Sequence, residues 1–306
     1  MAEVVSFINF KGGVGKTTVS VEIAASLYKR FNSRVLMIDL DPQSNCTFYW
    51  MNEKDWEKHV EEKGTLLKFF EACLDGEDSE FDLSEIIALP TRFNKSKWYQ
   101  QFDLQVNRGI KILPSDMKLF GVDLKLAQRF GFENLKSQLF LRKALKKIED
   151  QYDFIFIDCP PNLYLATQNG LFASNHYVII ALAEYLSTLG IAHIQRSINR
   201  VFEEANSVLD SPAYKTPSLT GIIFNRVRYL SGGTIAETDY MRRIRNLYPD
   251  LVFDSYISQS TKIADRPAQS EPIALSDYAA DQQYADQVHA IAEEFYERIT
   301  RPAISL

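Results

Sequence analysis

Short apolar runs alternate along this chain with longer stretches in which apolar residues return every three or four positions. The runs are Val4 to Ile8, Val35 to Ile38, Ile110 to Leu113, Phe154 to Ile157, Tyr177 to Leu182 and Leu219 to Phe224, and they predict buried strands. Their spacing leaves room for crossover helices. Strands this apolar must be covered on both faces, which predicts a doubly wound α/β fold, a mainly parallel sheet with helices on both sides. Ligands of such sheets sit at the strands' carboxyl ends. The stretch Asp277 to Arg301 has helical periodicity, with Tyr284, Val288, Ile291, Phe295 and Ile299 on one apolar stripe that predicts packing back on the sheet.

One segment departs from the alternation. Between Phe48 and Gly109, clusters rich in tryptophan or lysine, an acidic run from Asp75 to Asp82 and Pro90 appear without a new core pattern. We read residues 48–109 as a long helical excursion from one domain spanning 1–306, because neither an internal repeat nor a low-complexity tract divides the chain.

Composition narrows the class. An apolar fraction of 46% and a charged fraction of 24% are ordinary for a soluble globular protein. Cys46, Cys73 and Cys159 show neither metal-site spacing nor a paired framework, which points to a reducing cytosol. No basic leader precedes Val4, and no apolar run approaches the roughly 18 residues of a membrane span, so neither export nor insertion is expected. A net charge of −6 and an isoelectric point of about 5.4 exclude a surface coated in positive charge. Any DNA binding must use a local patch.

The candidate chemistry starts directly after the first run. Phe10-Lys11-Gly12-Gly13-Val14-Gly15-Lys16-Thr17-Thr18 precedes the helical pattern Val19 to Lys29, the setting a P-loop requires. Glycines let backbone amides turn inward around phosphate oxygens, and the helix N-terminus adds its positive dipole end. Lys16 then reaches the β and γ phosphates of ATP, the Thr17 hydroxyl binds Mg²⁺, and Thr18 contacts the α-phosphate. Phe10 stands where the general pattern has its first glycine, and Lys11 is an added lysine. In this the segment resembles the deviant Walker A group, the ParA/MinD family of P-loop ATPases. The resemblance implies that Lys11 crosses to the nucleotide of a partner subunit, so that ATP closes a homodimer.

Two further segments fit that setting. Val35 to Ile38 ends in Asp39-Leu40-Asp41-Pro42-Gln43-Ser44-Asn45-Cys46-Thr47, similar to the DxDPQxNxT segment of ParA-like proteins. Asp41 is expected to orient the attacking water or a magnesium-bound water. Asp39 either supports the site from behind or caps the turn before Pro42. Phe154 to Ile157 delivers Asp158, followed by Cys159-Pro160-Pro161, which resembles the family's D-x-P-P element and implies that Asp158 holds Mg²⁺ through water. No cysteine follows Cys159, so an iron–sulfur role is disfavoured and buried packing is expected. The run ending at Phe224 is followed by Asn225, placed by the resemblance against adenine. Relatives also bring a segment over the base, here Ile257 to Ser260, with Ser258-Gln259 in place of their proline-arginine pair.

The resemblance covers nearly the whole chain, including Leu113-Pro114-Ser115-Asp116 and Ile263 to Ile273. Its closest branch is the short ParA form, which implies nonspecific DNA binding and a ParB-like partner, or a cargo adaptor, acting in a nucleoid-associated cytoplasmic protein. Arg226, Arg228, Arg242, Arg243 and Arg245, with Lys262 beyond, outnumber Glu237 and Asp239 between Asn225 and Pro249. They are candidates for phosphate contacts or a solvated helix face. A MinD-like membrane role requires a basic amphipathic terminal helix, whereas Glu293, Glu294 and Glu297 make this one acidic and Pro302 ends it. A biosynthetic ligase sharing the P-loop is the third reading, opposed by the Asp41 to Thr47 and Leu113 to Asp116 segments.

Overall fold

The computed structural model describes residues 1–92, 109–131, 134–209, 213–228, 238–266 and 271–300. Arg301 and Pro302, Glu237, and the parts of the 48–109 and 263–273 segments within 93–108 and 267–270 lie outside the described residues. Six strands, β1 (Glu3–Ile8), β2 (Val35–Asp39), β3 (Ile110–Leu113), β4 (Phe154–Asp158), β5 (His176–Leu182) and β6 (Ser218–Asn225), form one sheet in the order β3-β2-β4-β1-β5-β6. Every pairing is parallel. Each expected run is a strand, extended in most cases by a polar residue at one end, because backbone pairing continues past the last apolar side chain.

The sheet is covered on both faces, as strands buried at alternate positions on either side require. On one face Val5, Phe7, Met37, Phe156 and Ile180 pack against α1 (Lys16–Phe31) and the terminal helix. On the other, Leu36, Ile38, Ile155 and Ile157 meet α4 (Leu66–Asp75), preceded by α2 (Asn45–Trp50) and α3 (Glu53–Glu62), and also α5 (Phe120–Phe130). The short α6 (Leu135–Gln138) and α7 (Phe140–Leu145) and then α8 (Leu165–Ala173) continue this layer. Ile179, Ile222 and Phe224 complete it against α9 (Tyr185–Ser207) and α10 (Thr238–Leu247). After the four-residue α11 (Thr261–Ala264) the chain ends its described part in α12 (Gln282–Thr300).

The described part of the 48–109 segment is built into this frame rather than hung outside it. Leu66, Phe69, Phe70 and Cys73 put one face of α4 into the core, whose start is capped by Thr65 and whose end turns at Gly76 with φ 88°. Ala88 exchanges both backbone hydrogen bonds with Ile112, at 2.8 and 2.9 Å. That antiparallel bridge covers the outer edge of β3, which would otherwise expose unpaired amides. Among the described residues no helix is long and apolar enough to cross a membrane.

α1 and α12 meet at a polar contact, Ser26 Oγ to His289 Nδ1 at 2.6 Å. His289 is 8% exposed, and burial together with the charges of Lys29 and Arg30 depresses its pKa to about 4. The unfolded chain, with an ordinary histidine, therefore binds more protons than the folded one between about pH 6.5 and 4, and stability is lost as pH falls through that window. The expected loss is about 2 kcal/mol between pH 7 and pH 5. Urea unfolding at the two pH values checks it: His289→Gln should reduce the difference, and an equal difference in the variant refutes the assignment.

Candidate functional site

Three adjacent strands end side by side. Phe7 of β1 pairs with Asp158 of β4, and Asp158 pairs with Asp39 of β2, so two carboxylates and the turn after Ile8 reach the same edge of the sheet. That turn runs through left-handed Gly13 (φ 75°) and Gly15 (φ 90°) into α1. Gly15 is required for a second reason, since a Cβ there would lie 2.1 Å from Asn225 Nδ2. Because α1 opens at Lys16, its unpaired first-turn amides face the loop.

The side chains around the turn are strongly ordered. Lys16 is 7% exposed, and its Nζ donates to the Asn9 carbonyl at 3.2 Å. Asn9 in turn donates to Ile180 O at 2.7 Å and accepts from the Lys11 amide at 2.8 Å. Lys11 itself points outward into an ion pair with Glu184. Thr17 Oγ1 donates to Asp158 Oδ2 at 2.5 Å. Burial pushes the Asp158 pKa up to about 7, against the Thr17 hydroxyl and the charge of Lys16. Asp39, wholly buried, is raised by burial and by the neighbouring Asp158 charge. It accepts from the Thr47 amide and hydroxyl, both at 2.7 Å, and from the Asp41 amide at 3.2 Å. Asp39 thus shapes the loop that carries Asp41, whose carbonyl also accepts from Ser115 Oγ at 2.8 Å.

The donor set suits a hydrated hard cation. Asp158 Oδ1 is buried and lacks a hydrogen-bond partner, a costly condition that a cation or its water relieves. Among the described residues no group of three or more His, Cys, Asp or Glu is gathered to hold a metal by itself. A site of one or two carboxylates completed by water and phosphate is the arrangement Mg²⁺ favours. Cys159 is buried with its thiol pushed up to about 12 by burial, so it stays protonated.

A cleft of about 400 Å³ gathers Gly12, Gly13, Gly15, Lys16, Thr17, Thr18 and Asp41 with Gln43, Asn45, Phe48, Tyr49, Arg92, Pro161 and Arg226. Gln43, Asn45 and Pro161 lay within the segments singled out in the sequence. Arg92 had no local signal there. The base-side candidates are each engaged within the chain. Asn225 donates to Val14 O at 2.8 Å and accepts from the Arg226 amide at 2.9 Å, so its amide supports the P-loop. Ile257 is buried, Ser258 is bridged to Val227, and Gln287 holds Ser258 by two hydrogen bonds of 2.9 and 2.8 Å. Gln259 lines a neighbouring cleft with Arg226 and Arg228.

The basic candidates do not form one free patch. Arg226 (φ 55°) lines the P-loop cleft as well. Arg242 pairs with Asp239 and Arg245 with Asp254, both at 3.2 Å, while Lys262 reaches Asp281 at 3.7 Å. Arg243 is exposed on α10.

A family model described as an AAA domain matches residues 2–211. The sporulation initiation inhibitor protein Soj of Bacillus subtilis is 27% identical over 278 residues, 90% of this chain and 92% of its own. A Cyanothece McdA variant in complex with ATP superposes with a TM-score of 0.70 at 18% identity, covering 97% of this chain and 96% of that one. Cobyrinic acid a,c-diamide synthase from Mycobacterium smegmatis, with an ATP analogue and magnesium, also gives 0.70, at 22% identity over 98% and 96%. These superpositions establish the fold alone. The chain belongs to the AAA domain family, as a P-loop ATPase of the ParA/Soj type.

Proposed function

We propose that this chain is a partition ATPase: Mg²⁺ and ATP close two copies into a sandwich dimer, the dimer holds DNA without sequence preference, and a ParB-like protein stimulates hydrolysis and release. The observation that carries the reading is the convergence of Lys16, Thr17 and Asp41 on one cleft walled by P-loop backbone, with Asp158 buried behind it and bonded to Thr17, in a chain related to Soj over nine-tenths of its length.

Each residue has a task set by its position. The P-loop amides and Lys16 bind the phosphates. Thr17 and Asp158 would hold magnesium, which when bound offsets the charge that builds on the transferring phosphoryl group. Asp41, at the cleft and only partly buried, orients water for attack. Lys11 leaves Glu184 to reach the nucleotide of the second copy. An apolar groove of about 450 Å³ continues from Asp41 and Pro161 to Phe120, Leu124 and Tyr164, which are 60%, 59% and 58% exposed. Apolar surface of that kind beside the cleft supports burial against another protein. For DNA, Arg243 is exposed on α10, and the pairing of Arg242 with Asp239, itself highly exposed, is weak enough to yield to a phosphate. The protein acted upon could equally be moved through a cargo adaptor, with the same ATPase cycle.

Lys16→Ala should abolish ATP binding, measured by equilibrium titration. Sedimentation with ATP should show Lys11→Ala as a monomer that turns over slowly or not at all. Normal dimerisation and hydrolysis in that variant exclude the cross-subunit role. Asp41→Ala should leave a long-lived ATP dimer, and the wild-type turnover without partner should fall well below the usual enzyme median of about 10 s⁻¹. Retention on nonspecific DNA at low salt, ATP-dependent and lost as salt rises, is expected, and its absence at every salt concentration eliminates the DNA-binding part of the proposal.

A further inference from the structure

The P-loop cleft contains a cation that belongs to none of the recognised motifs. Arg92 follows the edge bridge at Ala88 and Pro90, far along the chain from the P-loop, yet lines the same cleft as Lys16, Thr17 and Asp41. Its placement is fixed by the end of α2. The amides of Thr91 and Arg92 both donate to the Trp50 carbonyl, at 2.9 and 3.2 Å, and the Arg92 guanidinium donates to the Phe48 carbonyl.

The electrostatics of this side chain are incomplete. Burial depresses the pKa of Arg92, and the opposing influence is the Tyr49 phenol rather than a carboxylate. No ion pair links it to an Asp or Glu among the described residues. A guanidinium carries five N–H donors, and a half-buried one to which the described residues offer no counter-charge gains from an anionic partner. It faces a glycine loop and a helix N-terminus, both arranged for phosphate. The strand order adds a directional point. Arg92, anchored on α2 beyond β2, and Arg226, following β6, enter the cleft from opposite sides of β1 and its loop.

We propose that Arg92 is a phosphate-binding residue of the nucleotide site, supplied by the segment between β2 and β3. It turns from the Phe48 carbonyl to donate to phosphate oxygens, so that a counter-charge not supplied by the described residues arrives with the ligand. The proposal rests on the ATP-binding reading above.

The test compares wild type, Arg92→Gln and Arg92→Lys, full-length and with Mg²⁺, by displacement of a fluorescent ATP analogue with two probes, ATP and inorganic tripolyphosphate. Arg92→Gln should weaken both probes by about the same factor, roughly tenfold for one charge-assisted contact. Arg92→Lys should recover part of the loss, as a point charge replaces the fork. The ligand-free unfolding temperature of both variants should match wild type. Three results overturn the inference: unchanged affinities in Arg92→Gln, a loss for ATP with none for tripolyphosphate, which moves the contact to base or ribose, or a loss accompanied by an equal fall in ligand-free stability, which reduces Arg92 to a brace for α2. Wild-type protein that binds no ATP refutes the functional reading as well, whereas normal wild-type binding with an indifferent Arg92→Gln refutes this inference alone.

Discussion

Two like-charged side chains, Asp39 and Asp158, lie opposite each other on adjacent parallel strands and are both buried. Burial raises both pKa values, with the Asp158 charge adding to the rise at Asp39 and the Asp41 charge to the rise at Asp158. The fold meets the two costs differently. Asp39 is satisfied within the protein by Thr47, in the first turn of α2. Asp158 is satisfied on one oxygen only, by Thr17 in the first turn of α1. The helices that wall the cleft are therefore both tied at their starts to strand-end carboxylates, and the remaining demand for positive charge is concentrated on Asp158 Oδ1. Phosphate and cation chemistry at this edge follows from the register of three strands.

The wall itself is held from behind. Glu22, buried in the middle of α1, accepts from the Tyr49 hydroxyl at 2.8 Å and from the amides of Ile273 and Ala274, both at 2.9 Å. Burial raises its pKa and these hydrogen bonds pull it back. One carboxylate thus joins α1, α2 and the turn that leads into α12. Tyr49 lines the cleft, so its ring is fixed before any ligand enters, and a prearranged wall lowers the ordering cost of binding.

The sheet and the phosphate loop were legible in the sequence because both are written locally. A strand buried on two faces is an apolar run, and a P-loop is a contiguous set of residues with one backbone requirement. What was less legible depends on partners distant in sequence. The arginines of α10 were set against Glu237 and Asp239 within their own segment, whereas Arg245 pairs with Asp254 beyond Pro249. The resemblance places Asn225 against adenine, and the contact that orients its amide, a hydrogen bond to the carbonyl of Val14 211 residues away, has no local signature. Arg92 carried no signal, since its relation to the P-loop exists only after α2 has packed and the edge bridge at Ala88 has formed.

The two lysines of the loop show how one short segment can serve two different ends. Lys16 is nearly enclosed, fastened to the Asn9 carbonyl and aimed into its own cleft; moving it elsewhere would strand a buried charge, which is costly. Lys11 is five residues earlier and its side chain is 44% exposed, paired with Glu184 at 39%. A surface pair of that kind contributes between about 0 and 1 kcal/mol, so exchanging it for a more highly charged acceptor needs little compensation. The local fold therefore fixes one ammonium group inside its own cleft and leaves the other able to exchange partners, the asymmetry that the proposed contact between two copies requires.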